Sequence, residues 1–306
     1  MNTGFNISRM TLGTVQIGMN YGIANREGQP DEEKAFRILD AALDNGITCL
    51  DTAAAYGSSE KIIGKYFRSV RKKRPDITII TKFRLGNVSL PETERAIMKA
   101  VEQSVINLNT GCLDILLLHD PDDYKTHGKE ITGTFEKLLS GGIIKGAGAS
   151  CYEFSEIEPM LENDIFSAFQ IPVNLLDEAV HGPEESGRIR NSLIFARSIF
   201  LQGLFFMDPA ELKGNLRDSG SFIKIIREIA ADMNVSVTEL AITYVRSLDF
   251  VDSLVIGADN PDQVAENVKF FKTEPFTPAV MDSIRERLSG VPGWLLKPYL
   301  WDKQSE

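Results

Sequence analysis

The chain has 306 residues, enough for one large or two modest domains with a full core, and its 43% hydrophobic and 25% charged content is that of an ordinary globular protein. A net charge of −10 argues against nucleic acid or an anionic membrane as the main partner, since phosphate surfaces need a basic face, but it leaves room for a phosphate-bearing small ligand bound locally. Met1-Asn2-Thr3-Gly4 does not open a signal peptide, and no stretch nears the roughly 20 apolar residues of a spanning helix. The three cysteines, Cys49, Cys112 and Cys151, are odd in number, lack metal-ligand spacing and lie in or beside apolar segments. A cytoplasmic protein with buried thiols and no metal is expected.

In chain order, Met10-Thr11-Leu12-Gly13-Thr14 is a short apolar piece leading into a glycine-rich loop, 18–28. Pro30-Asp31 opens a helix with Ala35-Phe36, Ile38-Leu39 and Ala42-Leu43 at helical spacing, and Asn45-Gly46 ends it. Residues 47–50 read as a buried strand that stops at Asp51. The chain then passes small residues, presents Tyr56 beside Gly57, and offers Ser58 or Ser59 as a helix N-cap. A basic run, 71–74, precedes a strand at 77–81 that ends at Lys82, and Pro91 starts the next helix. The strand 113–118 ends at His119-Asp120-Pro121. A helix around 135–139 stops at Gly141-Gly142, and the next strand reaches Ser150. Helices near 153–162 and 183–191 precede strands at 168–172 and 193–198. Two helical patterns, about 219–233 and 236–247, lead to a strand at 254–257, followed by a helix from Pro261 and a last one after Pro278.

That makes eight short strands, each followed by a helix, with no composition break. Alternating units of this kind imply a parallel sheet, and continuous apolar strands imply one covered outside and packed within. Eight units in a chain of this length point to a single closed (β/α)8 barrel over 1–306, with an extension of about 272–306 packed near its mouth. The competing doubly wound sheet usually announces a G-x-G-x-x-G turn after its first strand. Gly146-Ala147-Gly148 is too short and too late to serve.

The first polar residues at the strand ends are Asp51, Lys82, His119, Ser150, Gln170 and Ser198, and in a barrel they converge on one mouth. Taken singly, the Asp and Tyr fit a solvated turn, the lysine a surface position and the histidine a satisfied core position. Their coincidence argues for a site. A free tyrosine is too weak an acid for proton transfer at neutral pH, and an ammonium at its hydroxyl favours the phenolate. A buried ammonium needs the counter-charge that Asp51 supplies, and His119 can orient a carbonyl oxygen. With no obvious nucleophile and no carboxylate pair at glycosidase spacing, a hydride carrier is the natural complement.

The segments Asp51-Thr52-Ala53-x-x-Tyr56-Gly57-x-Ser59-Glu60, Ile80-Thr81-Lys82, Leu117-Leu118-His119 and Gly146-x-Gly148-x-Ser150 resemble those of the aldo-keto reductases. The likeness runs from Leu12-Gly13 to Glu266-Asn267. It implies a (β/α)8 barrel that binds NADP(H) or NAD(H), the former favoured, and reduces an aldehyde or ketone. Tyr56 is then the general acid, tuned by Lys82 and Asp51, with His119 orienting the carbonyl. Ser150 and Gln170 match ligands of the nicotinamide carboxamide, and Ser198, Phe200 and Gly203 match the pyrophosphate-side loop. Gly257, Gln263, Glu266 and Asn267 match the adenosine segment. Four positions make three departures from the pattern. Cys151 replaces a common asparagine, Arg197 a common aromatic stacked on the nicotinamide, and Gly257 with Gln263 a common Lys and Arg on the 2′-phosphate.

Arg197 could stack on the nicotinamide ring through its planar guanidinium and, by its charge, favour the reduced cofactor; otherwise it points at pyrophosphate or substrate. The alternative to an enzyme is a regulatory or sensor subunit of the same fold, as in the family's channel-associated β subunits. A Schiff-base aldolase through Lys82 is disfavoured, because Asp51 keeps that amine protonated. Tyr21, Tyr124 and the aromatic tail from Trp294 to Trp301 could line the mouth, and the tail could equally pack on a partner subunit. The loop 20–25 resembles a bacterial subset associated with sugar-modifying pathways.

Overall fold

The structure is a computed structural model, and it describes residues 4–25, 28–69, 76–178, 180 and 182–302. The basic run at 71–74 lies outside the described residues. Eight strands form a closed parallel barrel in sequence order: β1 (Met10–Gly13), β2 (Cys49–Asp51), β3 (Thr78–Phe83), β4 (Leu113–Leu118), β5 (Ile144–Ser150), β6 (Phe166–Pro172), β7 (Leu193–Arg197) and β8 (Ser253–Gly257). Closure comes from β1, which pairs with β2 on one side and β8 on the other. Around it lie α1 (Val15–Gly18), α2 (Glu32–Asp44), α3 (Ser59–Ser69), α4 (Thr93–Leu108), α5 (Asp122–Ser140), α6 (Phe154–Ile157), α7 (Gly182–Arg188), α8 (Gly220–Asp232), α9 (Val237–Arg246), α10 (Pro261–Phe270) and α11 (Pro278–Arg287). Among the described residues no helix is long and apolar enough to cross a membrane.

Strand side chains alternate between two apolar layers. Cys49, Ile80, Ile115, Leu117, Ala168 and Phe195 fill the lumen, with Phe5 and Ile7 packed against them. Leu50, Ile79, Leu116, Leu118, Phe169 and Ile194 face outward into the helix layer, where α2 buries Ala35, Ile38, Leu39 and Ala42. Each fully buried aliphatic side chain stabilises the fold by about 1.5–3 kcal/mol. The same alternation sends Asp51, Lys82, Ser150, Gln170 and Arg197 inward at the C-terminal ends of their strands. Those five belong to the strands themselves. Pairing carries β2 to Asp51 and β3 to Phe83, one and two residues past the expected runs 47–50 and 77–81, with Asp51 and Lys82 at the strand ends as expected.

The clearest difference from the sequence reading is α5, expected only around 135–139. It begins at Asp122, and helical dihedrals break at His127 (φ −120°). Its first half, Asp122 to Lys129, is too polar to show an apolar stripe, so periodicity could not find it. At α6 the helix narrows to one turn, continued by a 3₁₀ turn (Glu158–Met160) with Pro159 inside it.

The tail after α11 turns back over the barrel. Trp301 donates its indole N–H to the Leu295 carbonyl at 3.0 Å, and both side chains are buried. Lys297 Nζ reaches Glu153 at 2.6 Å, Tyr299 meets Tyr152 edge-on, and Pro298 borders the central cavity. Tyr124 does not border that cavity. It packs edge-on against Phe166 on the outer layer, and its hydroxyl lies 3.2 Å from that of Thr132.

Candidate active site

Strand register explains why three of the four central side chains meet. Asp51 pairs with Ile80, so Lys82 lies one inward position above it on the neighbouring strand. Lys82 pairs with Leu117, and His119 follows two residues later on the same face, its N–H donating to the Phe83 carbonyl at 2.8 Å. The lysine reaches sideways along the mouth: Nζ lies 2.7 Å from Asp51 Oδ1 and 2.9 Å from Oδ2, and donates to the Thr52 carbonyl at 3.0 Å and the Tyr56 hydroxyl at 3.3 Å. Lys82 is 0% exposed and Asp51 3%. Gln170, from β6, donates to Asp51 Oδ1 at 2.8 Å.

Tyr56 is held by its turn rather than by a strand. Gly57 adopts φ +56°, and α1 crosses so closely that a Cβ on Gly18 would lie 2.0 Å from the Tyr56 carbonyl. The Ser58 N–H donates to the Gly18 carbonyl at 3.0 Å, and Ser59 N–H to the Tyr56 carbonyl at 3.0 Å. Behind the turn, Thr14 and Thr52 both hydrogen bond to the buried Ser59 hydroxyl, at 2.7 and 2.9 Å.

Burial pulls the Lys82 ammonium down, but Asp51 and Tyr56 outweigh it and hold the group above its ordinary value. His119 goes the other way. Burial, with the charges of Lys82, Arg84 and Arg197, pushes its imidazole down to about 3, so the ring is neutral at physiological pH. It stands edge-on to Tyr56 with centroids 5.6 Å apart, and its buried Nδ1 has no hydrogen-bond partner among the described residues.

Above this group opens a cavity of about 780 Å³. Asp51, Tyr56, His119, Ser150, Gln170, Arg197, Ser198, Phe200, Gly203, Gly257, Gln263, Glu266 and Asn267 all border it. Lys82 lies beneath, screened by Tyr56. The loop after β7 turns through left-handed residues at Ser198, Leu201, Gln202 and Gly203. The N-terminus of α10 also borders the cavity, through Asp259 and Gln263. Asn260 caps it by accepting the Gln263 N–H at 2.9 Å, while Gln263 Oε1 accepts the Asp259 N–H at 2.8 Å.

These residues fit an extended dinucleotide. Gln16 presents a buried Oε1 with no partner among the described residues, and its amide lies where a Cβ on Gly257 would fall, 2.2 Å from Nε2. An orphaned amide oxygen, a loop of left-handed residues and a helix N-terminus along one cleft are groups that polar and anionic parts of such a ligand can satisfy.

Arg197 stacks over the Tyr152 ring at 4.4 Å and donates to the Cys151 carbonyl at 3.2 Å, with Ser198 Oγ at 3.4 Å. Cys151 itself turns into the core, where burial raises its thiol, and it does not border the cavity. Tyr21 does border it, its phenol pushed up to about 12 by burial and by Tyr56. The sequence reading missed Gln16, Arg84, Tyr152, Gln202 and Asp259, which also border the cavity. Arg84 and Tyr152 stand two residues beyond Lys82 and Ser150, so inward alternation continued past the strand ends would have found them.

Fold and site together define a class: a (β/α)8 barrel with a buried Lys–Asp pair and a tyrosine beneath an open cleft at its C-terminal mouth. The sequence model of the aldo/keto reductase family matches residues 9–288, and the chain belongs to that family of NAD(P)-dependent oxidoreductases. It is 32% identical over 182 residues to the aldo-keto reductase YhdN of Bacillus subtilis (strain 168), a match covering 58% of this chain and about half of that relative (53%). It is 24% identical over 327 residues to a Schizosaccharomyces pombe protein named "Putative voltage-gated potassium channel subunit beta", across 95% of this chain and 92% of that one. Among solved structures it is similar to the aldo-keto reductase AKR11C1 from Bacillus halodurans in its holo form, with TM-score 0.75 and 26% identity. The glycerol dehydrogenase AKR11B4 from Gluconobacter oxydans gives TM-score 0.74 and 26% identity. Each match covers 92% of both chains.

Proposed function

We propose that the protein reduces an aldehyde or ketone to the alcohol, or runs the reverse, with Tyr56 as the proton donor. The observation that carries this is the position of Lys82 Nζ, 2.7 Å from Asp51 and 3.3 Å from the Tyr56 hydroxyl, under an open cavity. A bound NAD(P)H supplies the hydride. The chain's own residues do the rest. Lys82 stabilises the negative charge that develops on the Tyr56 oxygen as its proton leaves, and Asp51 keeps that ammonium neutralised inside the barrel. His119, held neutral, donates a hydrogen bond to the substrate oxygen and orients it.

Of the residues bordering the cavity, Ser150, Gln170 and Arg197 would hold the nicotinamide, Ser198, Phe200 and Gly203 the pyrophosphate, and Gly257, Gln263, Glu266 and Asn267 the adenosine. The family resemblance favours NADP(H). Asp259 and Glu266 on the cavity wall keep NAD(H) as the alternative, because a carboxylate suits ribose hydroxyls and opposes a 2′-phosphate. Three free thiols, two of them buried, fit a reducing cytoplasm.

The test is oxidation of NADPH and NADH by purified protein with a panel of small aldehydes, against Tyr56→Phe. Loss of a general acid costs about 10²–10⁴-fold, so the variant falls by at least that lower bound. A wild-type rate no greater than the variant's would sink the enzyme reading. The similarity to a channel β-subunit protein across 95% of the chain supports a second reading, a cofactor-binding regulatory subunit. Tight cofactor binding without turnover above the Tyr56→Phe rate is its signature.

A further inference from the structure

One charged group at the mouth is not used by the mechanism above. Arg84 follows Lys82 by two residues, just past the end of β3, so inward alternation carries it to the rim of the cavity that it borders. There it lies next to His119, whose N–H bonds to the intervening Phe83 carbonyl. Arg84 is exposed and makes no hydrogen bond or ion pair among the described residues. Asp123 feels the Arg84 charge, but no ion pair forms between them among the described residues. Asp123 Oδ2 accepts the Leu85 N–H at 2.9 Å, and Asp120 Oδ1 accepts the Asp122 N–H at 3.1 Å.

Arg84 leaves β3, which stands opposite β7 in the ring of eight strands, so it faces the cavity from the side away from the loop after β7 that the proposed function gives to the cofactor. An anion at Arg84 is therefore on the substrate's side of the reacting centre. We propose that the physiological substrate is a carbonyl compound bearing an anionic group, a carboxylate or a phosphate, which the Arg84 guanidinium binds while His119 and Tyr56 hold the carbonyl. This rests on the reductase reading and names its substrate class. A guanidinium suits the task because its planar fork pairs with two oxygens at once and stays charged at any working pH.

Net charge sharpens the inference. At −10 the protein repels anions at long range, so any preference for an anionic substrate has to arise from a local cation. Arg197 is a second cation at the mouth, but it is committed to Tyr152 and the Cys151 carbonyl.

The test compares matched pairs: succinic semialdehyde with butanal for a carboxylate, and glyceraldehyde 3-phosphate with glyceraldehyde for a phosphate. Wild type is expected to prefer the charged member of at least one pair by about tenfold or more in kcat/KM, mostly through KM. That ratio should drop about tenfold in Arg84→Gln, be partly kept in Arg84→Lys, and shrink as salt rises. The pair that responds identifies the anion. Turnover with no preference, or a preference that Arg84→Gln leaves intact, overturns the proposal. Calorimetric titration of 4-hydroxybutyrate and glycerol 3-phosphate, with NADP⁺ present, separates the two readings. Binding of either anion that Arg84→Gln abolishes keeps the anion site even where no aldehyde is reduced. Absence of such binding together with absence of turnover removes both.

Discussion

Gln170 on β6 donates its side-chain amide to Asp51 on β2 at 2.8 Å, so the carboxylate that neutralises Lys82 is itself held from across the barrel. Asp51 thus receives the Lys82 ammonium on both oxygens and the Gln170 amide on one. A hydrogen bond of this kind orients the carboxylate towards the lysine and reduces its freedom to turn into the cavity. It also gives Gln170 a structural role beside any contact with a ligand.

The buried pair makes a stability prediction. Asp51→Asn leaves an ammonium that is 0% exposed without its counter-charge, which costs on the order of 3–5 kcal/mol. The double variant Asp51→Asn with Lys82→Met removes the stranded charge and should lose less than the two single losses added together. Denaturant unfolding of all four proteins checks this. Simple additivity would show that the two residues do not depend on each other.

His119 makes a pH prediction. In the folded chain its imidazole is pushed down to about 3, chiefly by burial, while in the unfolded chain it titrates near 6.5. The unfolded state therefore takes up a proton that the folded state refuses, and stability is lost as pH falls from about 6.5 towards 3. The slope from this one group is about 1.4 kcal/mol per pH unit. Unfolding free energies of wild type and His119→Gln between pH 4 and 7 should show the slope in the first and not the second. Parallel curves would mean that the ring is not buried as described.

Arg197 makes a binding prediction. Its guanidinium is fixed at the mouth by the Tyr152 ring and the Cys151 carbonyl, and a fixed positive charge beside a bound nicotinamide would oppose the positively charged oxidised ring more than the neutral reduced one. Fluorescence titration should give tighter binding of reduced than of oxidised cofactor, and Arg197→Tyr should narrow that gap severalfold. The same ratio in both proteins would count against any contact between this charge and the ring.

Much of the fold is legible in the chain because each βα unit is local. Apolar runs of four to seven residues, broken by glycines and prolines, mark the strands, and stripes at helical spacing mark most helices. Where local pattern is weak the reading fails, as in the polar first half of α5 and at the ends of β2 and β3, where pairing with neighbours extends the strands. Tyr124 shows the same limit. Its sequence position is compatible with the mouth, and only its packing on Phe166 places it outside.

The sequence by itself determined the alternation of strands and helices, and so the (β/α)8 reading, and it put Asp51, Lys82 and His119 near strand ends with Tyr56 just past the first, because those placements follow from local pattern. What it did not contain is anything that depends on two distant segments touching. The Gln170 bond to Asp51 links residues 119 positions apart, and the Gly18 crossing that seats Tyr56 is set by backbone packing. The committed contacts of Arg197 and the unpaired state of Arg84 are likewise decided by neighbours brought in from other strands. Barrel closure creates those neighbours, since β1 has to meet β8 before the eight ends share one mouth.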